Sequence, residues 1–205
     1  MPATCASGPA RTSASKSLKN RRGIQCAKIS DSAARAARAS SPSLANAFGV
    51  QNNYEVAQTQ SYGPAARGGA CKAELVISDE RIDYVKADEL DAFVSFNKQS
   101  FDKFKGDVNA NTVVFADSTF ISEADVAGLG AKQVYLFPAT KCAEDNFGTA
   151  VCANIVMMGF IVAKSSEITL ENAQEALREV MSPKVLELNL NALSLGYNRG
   201  MCPEA

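Results

Sequence analysis

The chain has 205 residues, 46% of them hydrophobic and 21% charged, with a formal net charge of −1. That suffices for one domain with its own core, and the near-neutral balance supplies no field to draw it to nucleic acid or an anionic membrane. Tryptophan and histidine are both absent, which argues against a base-stacking surface and excludes Ser-His-Asp catalysis, Cys-His catalysis and His-containing zinc sites within this chain.

Residues 1–43 differ from the rest. "RTSASKSLKNRRG" and "SAARAARASS" are rich in Ser, Ala, Arg and Lys, and Asp31 is the one acid before Glu55. Only "GIQCAKI" (23–29) has the texture of a core element. Three readings stay open: a disordered segment, an Arg- and Ser-rich transit peptide, or a misassigned start ahead of the true domain. A domain is expected over 44–198, with 199–205 as a tail.

From Leu44 the pattern changes. "LANAFG" reads as a helix end closing at Gly49. Strands are predicted at "YEVAQTQ" (54–60), "KAELVISD" (72–79), Ala92–Phe96, "NTVVFADS" (111–118) and "KQVYLFPAT" (132–140), with a helix at "NKQSFDKF" (97–104). The run "ANIVMMGFIVAKSS" (153–166) is apolar almost all round and reads as a buried central helix, too short to span a bilayer. "TLENAQEALREVM" (169–181) follows with Thr169 as N-cap. "SPKVLELNLNALSLGY" closes the series, with Ser182 as N-cap, Pro183 at the first helical position and Gly196 as the stop. Continuous apolar strands alternating with helices predict a three-layer α/β/α domain with a mainly parallel sheet. Loops 61–71, 97–100 and 138–142 each follow a predicted strand, so they are expected to converge at its carboxyl end, where ligands gather in such sheets.

Cys5, Cys26, Cys71, Cys142, Cys152 and Cys202 include no C-x-x-C pair, so neither a zinc ribbon nor an iron–sulfur ligand run is legible. Their irregular spacing, with no secretory signal, reads as reduced thiols in a cytoplasmic protein. Cys71 and Cys142 lie in the expected site loops but have no partner base, so neither reads as a reactive thiol.

The stretch "QTQSYGPAARGGACK" (58–72) carries the most chemistry. Gly63-Pro64 fixes a turn, and Gly68-Gly69 permits close backbone approach or positive φ. Arg67 stands between these points as a forked cation suited to a phosphate or carboxylate. Tyr62 adds a flat face and a hydroxyl. A tight turn with a surface ion pair is the competing structural explanation. Asn97 and Ser100 in "FNKQS", and Thr140 in "PAT", are placed to touch a ligand, with helix capping as the alternative. Lys72 reads equally well as a solvated lysine at a strand end.

In order along the chain, "QTQSYGPAARGGACKAELVISDERI", "FNKQSFDKF", "YLFPAT", "VCANIVMMGFIVA" and "ITLENAQEALREV…LELNLNALSLGY" resemble the gamma subunit of 2-oxoacid:ferredoxin oxidoreductases. The Y-G-P-x-x-R-G-G core is similar to the 2-oxoglutarate synthase branch more than to the pyruvate branch. The resemblance implies the α/β catalytic-domain module of pyruvate and ketoisovalerate oxidoreductases. It also implies oxidative decarboxylation of a 2-oxoacid on thiamine diphosphate, electron transfer through [4Fe-4S] clusters to ferredoxin, and passage of the acyl group to coenzyme A. In that family thiamine diphosphate, its Mg and the clusters belong mainly to other subunits. The chain is therefore expected to hold no cofactor alone and to assemble with alpha and beta subunits, with a delta subunit in some complexes. Tyr62, Gly63, Arg67, Gly68, Gly69, Asn97 and Thr140 are the expected cofactor-binding residues; no metal ligand and no catalytic residue is assigned.

Two departures stand out. The family's usual G-x-G-G-Q-G turn after the first strand has no counterpart in "GIQCAKISDSAARAARASS", so the first βα unit is expected to be missing or altered. Ala65 follows Pro64 where the family often has glutamate. A non-catalytic scaffold or truncated subunit that only supports assembly is the alternative function.

Overall fold

The computed structural model describes residues 25–31, 54–61, 71–78, 81–83, 89–165 and 168–202. The expected helix end at 44–49 and the loop 62–70 lie outside the described residues. Among the described residues the strands are β1 (Gln25–Asp31), β2 (Glu55–Ser61), β3 (Cys71–Ser78), β4 (Ala92–Ser95), β5 (Val113–Asp117) and β6 (Gln133–Phe137). They form one sheet in the order β2-β3-β1-β4-β5-β6. The β1–β4, β4–β5 and β5–β6 pairs are parallel, whereas β3 runs antiparallel to both β1 and β2.

The sheet therefore takes an inner strand from the segment expected to lie outside the domain. β1 sits between β3 and β4, so the strand of the first βα unit is present and the domain starts before residue 44. Its sequence, QCAKISD, is weakly apolar, and its place is fixed by ladders on both sides.

Helices cover both faces. They are α1 (Lys98–Phe104), α2 (Glu123–Val126), α3 (Ala139–Phe147), α4 (Ala153–Lys164), α5 (Leu170–Val180) and α6 (Pro183–Met201). Side chains alternate across a strand, so two cores result. Leu75, Ile77, Val94, Phe96, Phe115 and Phe137 pack with α3, α4, α5 and α6. Phe93, Val114 and Ala116 pack with Phe101 of α1, Ile121 and Val126. This is the expected three-layer arrangement. Phe160 of α4 stacks on Phe137 with ring centroids 4.4 Å apart, and meets Phe115 and Tyr135 edge-on. Burial raises the Tyr135 hydroxyl above its ordinary pKa.

Two helix expectations change. The strand predicted to Thr140 ends at Phe137, and α3 starts at Ala139. Its sequence, ATKCAEDNF, buries only Ala139, Thr140 and Ala143, too narrow an apolar stripe to announce a helix. Gly196 does not stop α6, which runs on to Met201. An added Cβ at Gly196 would lie 1.8 Å from the Val156 carbonyl oxygen, and one at Gly159 would lie 2.1 Å from that of Leu193. These glycines let α4 and α6 approach backbone to backbone. Thr169 caps α5 as expected, its hydroxyl accepting from Asn172 N–H at 3.2 Å. Ser182 holds the N-cap position of α6, with Pro183 behind it, but its side chain makes no capping bond.

Candidate functional site at the carboxyl edge of the sheet

One row of paired residues crosses the sheet: Ser61, Lys72, Ser30, Ser95, Ala116 and Leu136. β2 points the same way as β1 and β4, because both β2 and β1 oppose β3. Loop 62–70 therefore leaves and re-enters the sheet, at Ser61 and Cys71, on the edge that also carries Asn97 and Thr140. Strands lie about 4.8 Å apart, so β3 and β4 are separated by roughly 10 Å and β3 and β6 by roughly 19 Å. Asn97 stands on the near side of this edge and Thr140 on the far side. The strand order also reverses at the β1–β4 boundary, since β5 and β6 continue one way and β3 and β2 the other. Such a reversal marks the crevice of an open α/β sheet, and Asn97 lies just beyond it.

The local chemistry of the two described candidates differs. Asn97 is the N-cap of α1, and its Oδ1 accepts from Ser100 N–H at 2.8 Å. Ser95 is fully buried and donates to the Asn97 carbonyl at 3.2 Å. Ser100 is also fully buried, and its Oγ has no hydrogen-bond partner among the described residues. Thr140, in the first turn of α3, is turned inward. Its N–H and its hydroxyl donate to the same oxygen, Oδ2 of Asp117, at 2.9 and 2.6 Å. Tyr62, Gly63, Arg67, Gly68 and Gly69 lie outside the described residues.

Asp117 escapes the sequence reading and organises this half of the edge. It ends β5 and is fully buried. Its Oδ1 accepts from Thr119 N–H at 2.9 Å, and its carbonyl accepts from the amides of Phe120 and Ile121. Thr119 Oγ1 in turn accepts from Lys141 N–H at 3.3 Å. The β5–α2 and β6–α3 loops are thus fastened together. The signal in the sequence is an acid closing an apolar strand, "VVFADST".

A second fastening joins the start of α1 to α2. Lys98 pairs with Asp125 of α2, and with Asp102 one turn along α1 at 3.5 Å. Its bond to Asp125 raises the Lys98 pKa. The same bond, with those from Ser122, holds the Asp125 carboxyl well below its ordinary range. Lys72 is partly buried rather than solvated. It pairs with Glu74 at 2.7 Å, and its ammonium lies 5.9 Å from the Phe104 ring centroid.

Burial raises the Cys142 thiol above its ordinary pKa against an opposing pull from Arg199, and burial raises Cys152 likewise. That is the reverse of an activated nucleophile. Among the described residues, no three His, Cys, Asp or Glu side chains converge as metal ligands, and no helix is long and apolar enough to cross a membrane.

Comparison with known proteins follows the same outline. Residues 38–199 match the pyruvate ferredoxin/flavodoxin oxidoreductase family. The 2-oxoglutarate synthase subunit KorC of Methanocaldococcus jannaschii is 37% identical over 159 residues, covering 75% of this chain and 82% of that protein. Ketoisovalerate oxidoreductase subunit VorA of Methanothermobacter marburgensis is 33% identical over 66% of this chain, which corresponds to 28% of that longer protein. The crystal structure of the keto/oxoacid ferredoxin oxidoreductase gamma subunit of Geobacter sulfurreducens superposes with a TM-score of 0.77 at 26% identity, covering 87% of this chain and 97% of that one. The chain belongs to the pyruvate ferredoxin/flavodoxin oxidoreductase family and is a subunit of an oxidoreductase.

Proposed function

We propose that this chain is the gamma subunit of a cytoplasmic, thiamine-diphosphate-dependent 2-oxoglutarate:ferredoxin oxidoreductase. The observation that carries the reading is the 37% identity to a 2-oxoglutarate synthase subunit over 82% of that subunit's length. In this reading the complex decarboxylates 2-oxoglutarate, transfers the acyl group to coenzyme A and passes the electrons singly to ferredoxin. Thiamine diphosphate, when bound, supplies the carbanion that attacks the oxo carbon.

Thiamine diphosphate, Mg and the [4Fe-4S] clusters are assigned to the alpha and beta subunits, and to a delta subunit where one is present. This chain has no cluster-type cysteine spacing, so its cysteines do not suit a [4Fe-4S] cluster. Its own contribution is the carboxyl edge. Arg67, set in the sequence between Gly63 and Gly68-Gly69, suits a phosphate of coenzyme A, and Tyr62 in the same stretch offers a flat face and a hydroxyl. Asn97 stands on the same edge as Ser61 and Cys71, whereas Thr140 acts by holding the far half of the edge in place. The module is continuous with a much longer chain in the ketoisovalerate oxidoreductase relative, which supports a role within a larger assembly.

The test is co-expression with the candidate alpha and beta subunits, followed by co-purification and a viologen reduction assay. Reduction that requires both 2-oxoglutarate and coenzyme A, with pyruvate inactive, is the expected result. Assembly with a preference for pyruvate would overturn the substrate, and failure to assemble would overturn the subunit role.

A further inference from the structure

We propose that Lys98 is a positioning residue for the near half of the carboxyl edge, fixing Asn97 at the reversal of strand order through its pairing with Asp125 of α2. The inference rests on the reading above, in which this half of the edge receives coenzyme A. α1 has seven residues, too few to hold its place as a helix by itself. Its buried side is held by Phe101, whose ring centroid lies 6.0 Å from that of Phe93. The bonds at its entry are all local. Asn97 Oδ1 accepts from Ser100 N–H at 2.8 Å, the Asn97 carbonyl accepts from Phe101 N–H at 3.0 Å, and Ser95 Oγ donates to that carbonyl at 3.2 Å. These groups all lie within residues 95–101, so they would shift together as a unit.

Lys98 ties that unit to a residue 27 positions further along the chain. Two features separate the tie from an ordinary surface pair, which is weak because both side chains must be ordered to form it. Asp125 is ordered beforehand. Its Oδ2 accepts from Ser122 N–H at 2.9 Å and from Ser122 Oγ at 2.7 Å, within the capping box of α2, and its Oδ1 faces Lys98. Lys98 is held from its own helix by Asp102, 3.5 Å away, which also accepts from Lys105 at 2.7 Å. Because Lys98 adjoins Asn97 in the chain, whatever fixes the one fixes the other. Ser100 is an independent sign that a further group belongs here. It is fully buried and its Oγ has no hydrogen-bond partner among the described residues, a condition native interiors seldom leave unfilled. An exposed pair adds little stability, so losing this one should displace Asn97 rather than unfold the domain.

The experiment compares K98A, K98R and N97A in two settings. In the full-length chain, amide hydrogen exchange at Ser100 and Phe101 reads the entry of α1 with no ligand present. K98A should speed that exchange roughly threefold, and K98R should restore it. In the complex co-expressed with the alpha and beta subunits, K98A should raise the KM for coenzyme A roughly threefold, with kcat, the KM for 2-oxoglutarate and co-purification unchanged. The double variant K98A/N97A should then have the same KM as N97A alone. Unchanged exchange at Ser100 in K98A would overturn the proposal. So would a KM unmoved by K98A when N97A raises it, or an effect of K98A that persists in full without Asn97. Faster exchange in K98A, with the KM unmoved by N97A, would uphold the tie and overturn only the reading that Asn97 meets coenzyme A.

Discussion

Replacing Gly196 by alanine should destabilise the domain, although alanine is the better helix former. The gain in propensity is about 1 kcal/mol. Against it stands a steric conflict that no side-chain rotation relieves. The new methyl would sit 1.8 Å from the carbonyl oxygen of Val156 and 2.8 Å from its carbonyl carbon. An ordinary carbon–oxygen contact is about 3.3 Å or more, so α4 and α6 would have to part by roughly 1.5 Å. Both obstacles are backbone atoms of a buried helix, which places the cost near the top of the overpacking range, about 3 kcal/mol. The net loss is then about 2 kcal/mol, or roughly 4–8 °C in Tm for a chain of this size. Thermal and urea denaturation followed by circular dichroism would measure it. Gly106 is the control, because an added Cβ there meets nothing within 4 Å. If G196A melts at or above the wild-type temperature, as G106A is expected to, the close-approach account of this helix pair is wrong.

Other outcomes are equally specific. T169A should lose about 1 kcal/mol of stability in urea denaturation, because it removes the N-cap of α5, while T169S keeps the acceptor. The Lys98–Asp125 pair should respond to acid. Asp125 has its folded pKa below its unfolded value, so its contribution is present above the ordinary carboxylate range and is lost as pH falls through the folded pKa. Lys98 has its pKa raised, so its contribution is present below the ordinary lysine range and is lost as pH rises through the folded pKa. In K98A the carboxyl NMR titration of Asp125 should move up toward the ordinary range; an unmoved midpoint would show that Ser122 alone sets it. Cys142 should alkylate more slowly at pH 8 than a free thiol, and equal rates in the folded chain would refute the upward shift. In the assembled enzyme, R67A should raise the KM for coenzyme A at least tenfold and leave co-purification intact; an unchanged KM would remove Arg67 from the site.

The strands and long helices were legible because their physics is local. "TVVF" and "NIVMMGFIVA" have nowhere to go but inside, and Thr169 and Pro183 mark helix starts by their own chemistry. What the sequence concealed depends on partners remote in the chain. β1 is paired by ladders to β3 and β4, both remote in the chain. Gly196 looked like a stop because glycine usually is one, and only the Val156 backbone explains why it continues a helix. Asp117 lies inside a run read only as a strand, and its bonds to the start of α3 depend on Thr140. That loops 97–100 and 138–142 open on the same edge was readable from parallel strand direction; residues 62–70 lie outside the described residues. The separation of those two loops into a near and a far half was not readable, because it follows from strand order.

That separation makes the two halves of the edge answer different demands. From β4 to β6, successive connections are tied to each other by Lys98–Asp125, Asp117–Thr140 and Thr119–Lys141. The hydrogen-bonding capacity of those groups is spent on one another. From β2 to β4, the edge receives the ends of the Arg67 loop and lies at the reversal of strand order, with Asn97 beside it. On the proposed reading Arg67 serves this near half, and a substitution there should weaken anion binding without loosening the ties from β4 to β6. Removing Asp117 should instead loosen the start of α3 and lower stability, because the bonds from Thr140 and Thr119 go with it. If both substitutions weakened binding of the same anion, the edge would be a single pocket and not two halves.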